Sequence, residues 1–203
     1  MNVDWDALIG PDEPVIVAPW VPPQENESGE GLGTGFTDLR LHPEAAHALP
    51  ETVEYPELAE ALLLLNQPDL PTFVSPTFTS KCDVWPIAPE DIDPYEFDAE
   101  PDEIAHGIAC YIDIIPAEPA RRAAFAEIEN LARAIVHDLR QEQASPVGRI
   151  ELVLRPADID DTPGYAFTLY ASALGATQSE ARNRWKTVLF AAVMATIKSA
   201  ASS

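Results

Sequence analysis

Basic residues are almost absent from the first 118 positions of this chain. Of the 12 Lys and Arg in 203 residues, only Arg40 and Lys81 lie there, together with 25 of the 34 acidic residues. That stretch carries a formal charge of −23, whereas the remainder is close to neutral at +1. Phosphate backbones and anionic membrane surfaces bind clustered Lys and Arg, so this composition argues against direct binding to nucleic acid or to a membrane.

Cysteines and long apolar runs are also scarce. Two cysteines, Cys82 and Cys110, are too few for a four-thiolate zinc site or a disulfide framework. Both fall on predicted strands, where small buried apolar residues are expected; a disulfide would need an oxidising compartment. The longest apolar run, 188–195, is shorter than the roughly 20 residues of a membrane span. Residues 1–20 lack the pattern of a secretory signal, so we expect a cytoplasmic protein or one in a particle assembled there, such as a virion.

Proline divides the chain at the same place as charge, since 16 of the 20 prolines precede residue 118. We therefore predict an extended, acidic, Pro/Gly-rich arm over 1–70, with one short helix over 56–65, followed by a module over 71–203. Within the module, residues 89–103 hold eight acids and three prolines. They are expected to form an extended acidic loop between strands.

The module shows clear periodicity. Alternation predicts a strand over 77–85, with Phe78, Ser80, Cys82 and Val84 on one side. Further strands are predicted over 107–115, 149–155 and 165–174, the last two as a hairpin around a loop at 157–164. Apolar spacing predicts amphipathic helices over 119–143 and 177–199. A turn at 145–148 follows the first helix, and a Thr177–Glu180 capping box begins the second. The fold class is α+β: a largely antiparallel sheet with two amphipathic helices packed on one face, preceded by the irregular arm.

Three segments resemble parts of ligand-binding motifs. The glycine-rich 29–35 lacks the spacing and the lysine of a phosphate loop. Glu103 and His106 have the spacing of half of a carboxylate-bridged metal site, but the sequence has no second copy. Asp158, Asp160 and Asp161 lack the glycine and glutamate of a calcium loop. We predict no catalytic residue, no cofactor and no metal.

The last helix carries the candidate interaction residues. Arg182, Arg184 and Lys186 form either an exposed basic face or a docking strip for acid, supplied by residues 89–103 or by the arm of an adjacent copy. Phe190 and Met194 lie beside the apolar stripe that contains Trp185, so this helix is expected to be covered on more than one side. The candidate residues are Arg182, Arg184, Trp185, Lys186, Phe190 and Met194.

The order of elements over 108–143 and 149–174 resembles that of tail-terminator and related neck or tail-completion proteins of long-tailed phages. The resemblance covers roughly residues 70–175 and lies in element order alone. It implies a small α+β module that assembles into a ring with other subunits, and it assigns no residue a role.

We therefore expect a non-enzymatic structural or assembly protein that acts through contacts with other protein subunits, as a homo-oligomer or within a larger assembly. One alternative is an acidic nucleic-acid mimic that inhibits a DNA-binding protein. Another is an enzyme with an unrecognised site, for which the module is large enough. The acidity is also what a salt-rich host would favour.

Overall fold

A computed structural model describes residues 1–19, 37–66, 75–97, 104–141 and 147–202. Within these residues, six strands form one sheet, in the order β1-β5-β6-β4-β3 with β2 also beside β5. The strands are β1 (Asn2–Ala7), β2 (Ile16–Ala18), β3 (Thr77–Ile87), β4 (His106–Pro116), β5 (Gly148–Ile159) and β6 (Thr162–Gly175). The α+β prediction is confirmed, but the sheet is mixed: β1 and β2 both run parallel to β5.

Two long helices cover one face of this sheet. The α-helices of the described residues are α1 (Pro50–Val53), α2 (Pro56–Leu65), α3 (Pro119–Ala123), α4 (Phe125–Gln141) and α5 (Gln178–Ser202). Alternate residues of β4, β5 and β6 pack with the apolar sides of α4 and α5 in the main core, and α2 packs against α5. The predicted bounds of α2 are confirmed. The Thr177 hydroxyl accepts from the Glu180 amide at 3.2 Å, so the predicted cap is present.

The leading segment belongs to the common core, where the sequence predicted an irregular arm. β1 pairs with residues 149–154 of β5, and Val3 is 4% exposed. Leu58, Leu62 and Leu65 of α2 are fully buried in the same apolar cluster as α5. Residues 67–74, which span the predicted boundary at residue 70, lie outside the described residues.

The predicted helix over 119–143 is two helices. Ala124 has extended backbone angles, φ −129° and ψ 135°, which end α3 before α4 begins at Phe125. The Arg122 guanidinium donates to the carbonyls of Pro116 and Ala117, which fixes the α3 turn against the end of β4. A Cβ at Gly164 would lie 2.8 Å from the Arg122 carbonyl oxygen, so glycine permits this close approach. Residues 142–146, including most of the predicted turn at 145–148, lie outside the described part of the chain.

The predicted loop at 157–164 is wrong. β5 and β6 continue through it, and Ile159 pairs with Thr162, which leaves a two-residue turn. Asp160 and Asp161 have φ values of 50° and 59°, the left-handed pair that defines a type I′ hairpin turn. The run of aspartates indicated a solvated loop, whereas aspartate also tolerates this backbone region.

β3 contains a bulge, so the prediction that Phe78, Ser80, Cys82 and Val84 all lie on one side of the strand is wrong. The register shifts between Thr79 and Cys82, so Phe78 pairs with Ile115 whereas Cys82 pairs with Ile112. Adjacent residues of a strand point to opposite faces, so the extra residue moves Phe78 to the face opposite Cys82. Phe78 lies in a second, smaller apolar cluster, and Cys82 packs against the main one.

The acidic segment that follows β3 is partly folded rather than extended. Residues Pro89–Asp91 and Pro94–Phe97 form short 3-10 helices. Phe97 is buried, and the Glu96 carboxylate accepts from Arg149 of β5 at 2.6 Å. This ion pair holds the segment against the sheet. Residues 98–103 lie outside the described residues.

Replacing Asp161 with glycine should stabilise the hairpin turn. Glycine adopts positive φ without a Cβ penalty, so we expect Asp161→Gly to raise the free energy of unfolding by about 0.5 kcal/mol. Urea unfolding followed by tryptophan fluorescence measures this change. Asp12→Gly is the matched control, because it removes the same charge from an exposed loop position without positive φ. An equal gain in both variants would assign the effect to charge rather than to the turn.

Candidate functional site

The face of the sheet opposite α4 and α5 carries polar and aromatic side chains. Tyr111 of β4 pairs with Tyr170 of β6, which pairs with Glu151 of β5. These positions alternate with buried core residues, so their side chains point away from the two helices. The residues that share this face include Lys81, Asp83, Trp85, Tyr111, Asp113, Arg149, Glu151, Arg155, Thr168, Tyr170 and Ser172. We call it the polar face.

The polar face is closed at one end by β2. Ile16 and Ala18 pack with residues of β3, β4, β5 and β6 in the second apolar cluster. The Ser80 hydroxyl donates to the Val17 carbonyl at 2.6 Å, so β2 meets β3 although they occupy different ends of the sheet order. The sheet therefore curls over this end of the polar face.

A cleft of about 260 Å³ lies beside that closed end. Residues 14–17 of the β2 segment and Ser80 and Lys81 of β3 form its walls. Its remaining lining comes from three adjacent strands: Tyr111, Asp113, Arg155, Thr168 and Tyr170. We call this the β2 cleft.

Two cations and one partly buried acid line the β2 cleft. The Thr168 hydroxyl donates to the Asp113 carboxylate at 2.7 Å. Burial raises the pKa of Asp113, and the Thr168 hydrogen bond and the charges of Arg155 and Lys81 oppose that shift. Burial and the nearby carboxylates Asp113 and Asp83 also raise the pKa of the Tyr111 phenol. The cleft thus brings ionisable groups together at reduced solvent contact, which is a common property of binding sites.

Arg155 lacks a full set of hydrogen-bond partners. Its Nη2 donates to the Tyr170 hydroxyl at a long 3.4 Å. Its Nε is buried and has no hydrogen-bond partner among the described residues. A buried donor left unpaired costs about 1–3 kcal/mol, so the Arg155 guanidinium carries a donor that the described residues leave unsatisfied.

Three aromatic rings run across the polar face beside the cleft. The centroids of Trp85 and Tyr111 are 6.2 Å apart, and those of Tyr111 and Tyr170 are also 6.2 Å apart. These separations are within the usual range for interacting aromatic pairs. Trp85 is 37% exposed, so the row of rings ends at the surface.

The predicted basic strip of α5 contacts acid of the same chain. Arg182 makes two hydrogen bonds to the Glu57 carboxylate of α2, at 2.9 and 2.8 Å, and a third to the Glu54 carbonyl. Lys186 lies 3.9 Å from the Glu60 carboxylate. Arg184 pairs with Glu180 on its own helix. The acid is therefore supplied by α2 for Arg182 and Lys186 and by α5 itself for Arg184, rather than by residues 89–97, the described part of the acidic segment.

The other candidate interaction residues differ in exposure. Trp185 is fully buried, with its ring 5.8 Å from that of Tyr55 in an edge-on contact. It packs the core and presents no surface to a partner. Phe190 is half-buried beneath the Lys186 ammonium, which lies 5.7 Å from its ring centroid. Met194 is 52% exposed, so Phe190 and Met194 remain candidates for contact.

Both cysteines have free thiols. Cys110 is buried in the main core, and burial raises its pKa to about 12. Cys82 packs against the same core, and burial raises its pKa as well. Each thiol acts as a small apolar side chain, which is one of the two roles expected from the sequence.

Among the described residues, no group of three His, Cys, Asp or Glu side chains could hold a metal ion. Glu103 and the glycine-rich 29–35 lie outside those residues. Asp160 and Asp161 form the hairpin turn, and Asp158 precedes it on β5.

Sequence reasoning missed the β2 cleft because its residues come from separate strands. One signal was present: Tyr111 and Asp113 alternate with Cys110, Ile112 and Ile114 in β4. A carboxylate between isoleucines marks a strand with one polar face. Its partners Arg155 and Thr168 become neighbours only through the register of β4, β5 and β6.

Arg182→Gln should destabilise the contact between α2 and α5. The change removes the two charge-assisted hydrogen bonds to Glu57 and the third bond to the Glu54 carbonyl. We expect a loss of about 1 kcal/mol at pH 7, measured by urea unfolding. Lys198→Gln is the control on the same helix, because its pair with Asp138 is more exposed and should contribute about half as much or less.

The Arg182 effect should also depend on pH. The Arg182 hydrogen bonds lower the pKa of Glu57, so this pair stabilises the fold fully above the ordinary glutamate value of 4.5. The stabilisation is lost as pH falls through the lowered pKa. The difference between wild type and Arg182→Gln should therefore shrink in acid, and a constant difference from pH 7 to pH 3 would contradict this assignment.

Comparison with protein-family models, with curated proteins and with solved structures found no match for this chain. No helix within the described ranges is long and apolar enough to cross a membrane.

Proposed function

We propose that this chain is a non-enzymatic protein that acts through protein–protein contacts, as a subunit of a larger assembly. The observation that carries the proposal is the disposition of charge. The chain binds most of its own cations internally, and a large excess of carboxylates remains.

All twelve basic residues are described, and at least nine of them lie within 4.0 Å of a carboxylate in the described part of the chain. Arg122 is bound by two backbone carbonyls. With 34 acidic residues in the sequence, carboxylates outnumber bases by 22. The field around the molecule is therefore negative, and it favours partners with basic surfaces and disfavours nucleic acid.

The outer side of α5 supplies a contact surface with apolar character. Phe190 is half-buried one turn beyond Lys186, and Met194 is about half exposed one turn further along α5. Met and aromatic side chains are enriched in protein interfaces. We propose Phe190 and Met194 as the centre of this contact.

The finer form of the proposal is a neck or tail-terminator subunit of a phage virion. It is supported by the order of elements. β4 is followed by α3 and α4 and then by the β5–β6 hairpin, and this order resembles that of those proteins. A ring of identical subunits is the form of assembly to test first.

A nucleic-acid mimic is the second candidate, and β1 favours it. Asp4 and Asp6 are both exposed at alternate positions of a strand that β5 holds in register. Carboxylates two residues apart on a strand are separated by about 7 Å at fixed geometry. Mimicry of a phosphate backbone requires fixed spacing of this kind, rather than acid in irregular chain.

Light scattering on the full chain tests the assembly proposal. Like charges on neighbouring subunits repel, and the repulsion is screened as ionic strength rises. We therefore expect a defined oligomer whose population grows between about 0.05 M and about 0.5 M salt. A monomer at every salt concentration would contradict self-assembly. If this chain then competes with duplex DNA for a basic DNA-binding protein, and the competition disappears at high salt, the nucleic-acid mimic is favoured.

Met194→Lys should weaken the oligomer without destabilising the subunit. The side chain is about half exposed, so the change should leave the melting temperature within about 2 °C while placing a charge in an apolar contact. Asn130→Lys on α4 is the matched control, since it adds the same charge at another exposed helix position. Equal oligomer populations in the two variants would exclude this side of α5 from the contact.

A further inference from the structure

We propose that the β2 cleft is a binding site for a small monocarboxylate, a molecule with one carboxylate and a compact planar or aliphatic body. Binding in the cleft does not require assembly, because the cleft lies on the polar face and the contact proposed above lies on the outer side of α5.

The charge of the cleft selects an anion. Arg155 and Lys81 carry two positive charges, and Asp113 carries one negative charge, so the lining has a net charge of +1. This local excess of positive charge occurs in a chain with a net charge of −22.

Unused hydrogen-bond capacity points to the same ligand. Arg155 Nε is a buried donor with no partner among the described residues, and Nη2 makes only a long bond to Tyr170. Two adjacent guanidinium donors match the two oxygens of a carboxylate. A ligand carboxylate would therefore satisfy a donor that the fold itself leaves unpaired.

Asp113 limits the charge of the ligand. Its carboxylate is held by Thr168 beside the two cations, and it would repel a second negative charge. The site therefore fits a monoanion better than a dicarboxylate or a phosphate dianion. Neutral and cationic analogues would leave Arg155 Nε without a charged acceptor.

The walls accommodate an apolar body of limited size. The Tyr111 and Tyr170 rings lie on one side, and Val15 and Val17, which are 51% and 42% exposed, belong to the β2 wall. A volume of about 260 Å³ holds roughly nine water-sized groups. A ligand of about that many non-hydrogen atoms would fill the cleft and reduce the exposure of both valines.

Benzoate is the probe, with benzamide and phthalate as its neutral and dianionic counterparts. Titrated into the full chain and followed by amide chemical shifts, benzoate should bind with a dissociation constant in the millimolar range or tighter. Benzamide and phthalate should each bind at least tenfold more weakly. Absence of saturable benzoate binding up to about 20 mM, or equal binding of all three, would overturn the proposal.

Substitutions in the cleft should change benzoate affinity in opposite directions. Arg155→Gln should weaken it at least tenfold, and Arg133→Gln, which removes the same charge from α4 on the other side of the sheet, should change it less than twofold. Asp113→Asn should strengthen it severalfold and reduce the discrimination against phthalate. If Arg155→Gln does not fold, Lys81→Gln replaces it, with the same sign expected. Equal effects of the cleft and control variants would place the probe elsewhere.

Discussion

The fold depends on the two parallel pairings along β5. β1 covers residues 149–154 and β2 covers 157–159, so the leading segment forms hydrogen bonds with the same strand twice. Pro156 lies between the two paired stretches. Proline has no backbone N–H, so the pairing is interrupted where a donor is missing. This arrangement brings the N-terminal segment into the core, closes one end of the polar face and forms one wall of the β2 cleft.

Charge is the second constraint on this molecule. Its few bases hold separate elements together: Arg182 connects α5 to α2, and Arg149 connects β5 to the acidic segment at Glu96. Arg140 of α4 donates to the Val3 carbonyl of β1. Because the bases are bound internally, the excess of carboxylates defines the outer surface. The β2 cleft is an exception, since cations outnumber the acid there.

Local signals predicted the elements with strong periodicity or caps. Pro56 set the start of α2, the capping box set the start of α5, and alternation located most of the sheet. β1 was missed although Val3, Trp5 and Ala7 alternate with polar residues, because aspartate and asparagine are poor strand formers and the strand is stabilised by its pairing with β5. The β2 cleft could not be predicted, because it depends on the curl that brings Ser80 to Val17.

The bulge in β3 also governs how this chain can meet another. β3 is the outermost strand on its side of the described sheet. The bulge between Thr79 and Cys82 and the missing donor at Pro86 divide its backbone into short stretches. A strand from a second molecule would find few consecutive groups to pair with. Sheet extension from this side is therefore disfavoured, and contacts with another molecule at this edge would be made through side chains.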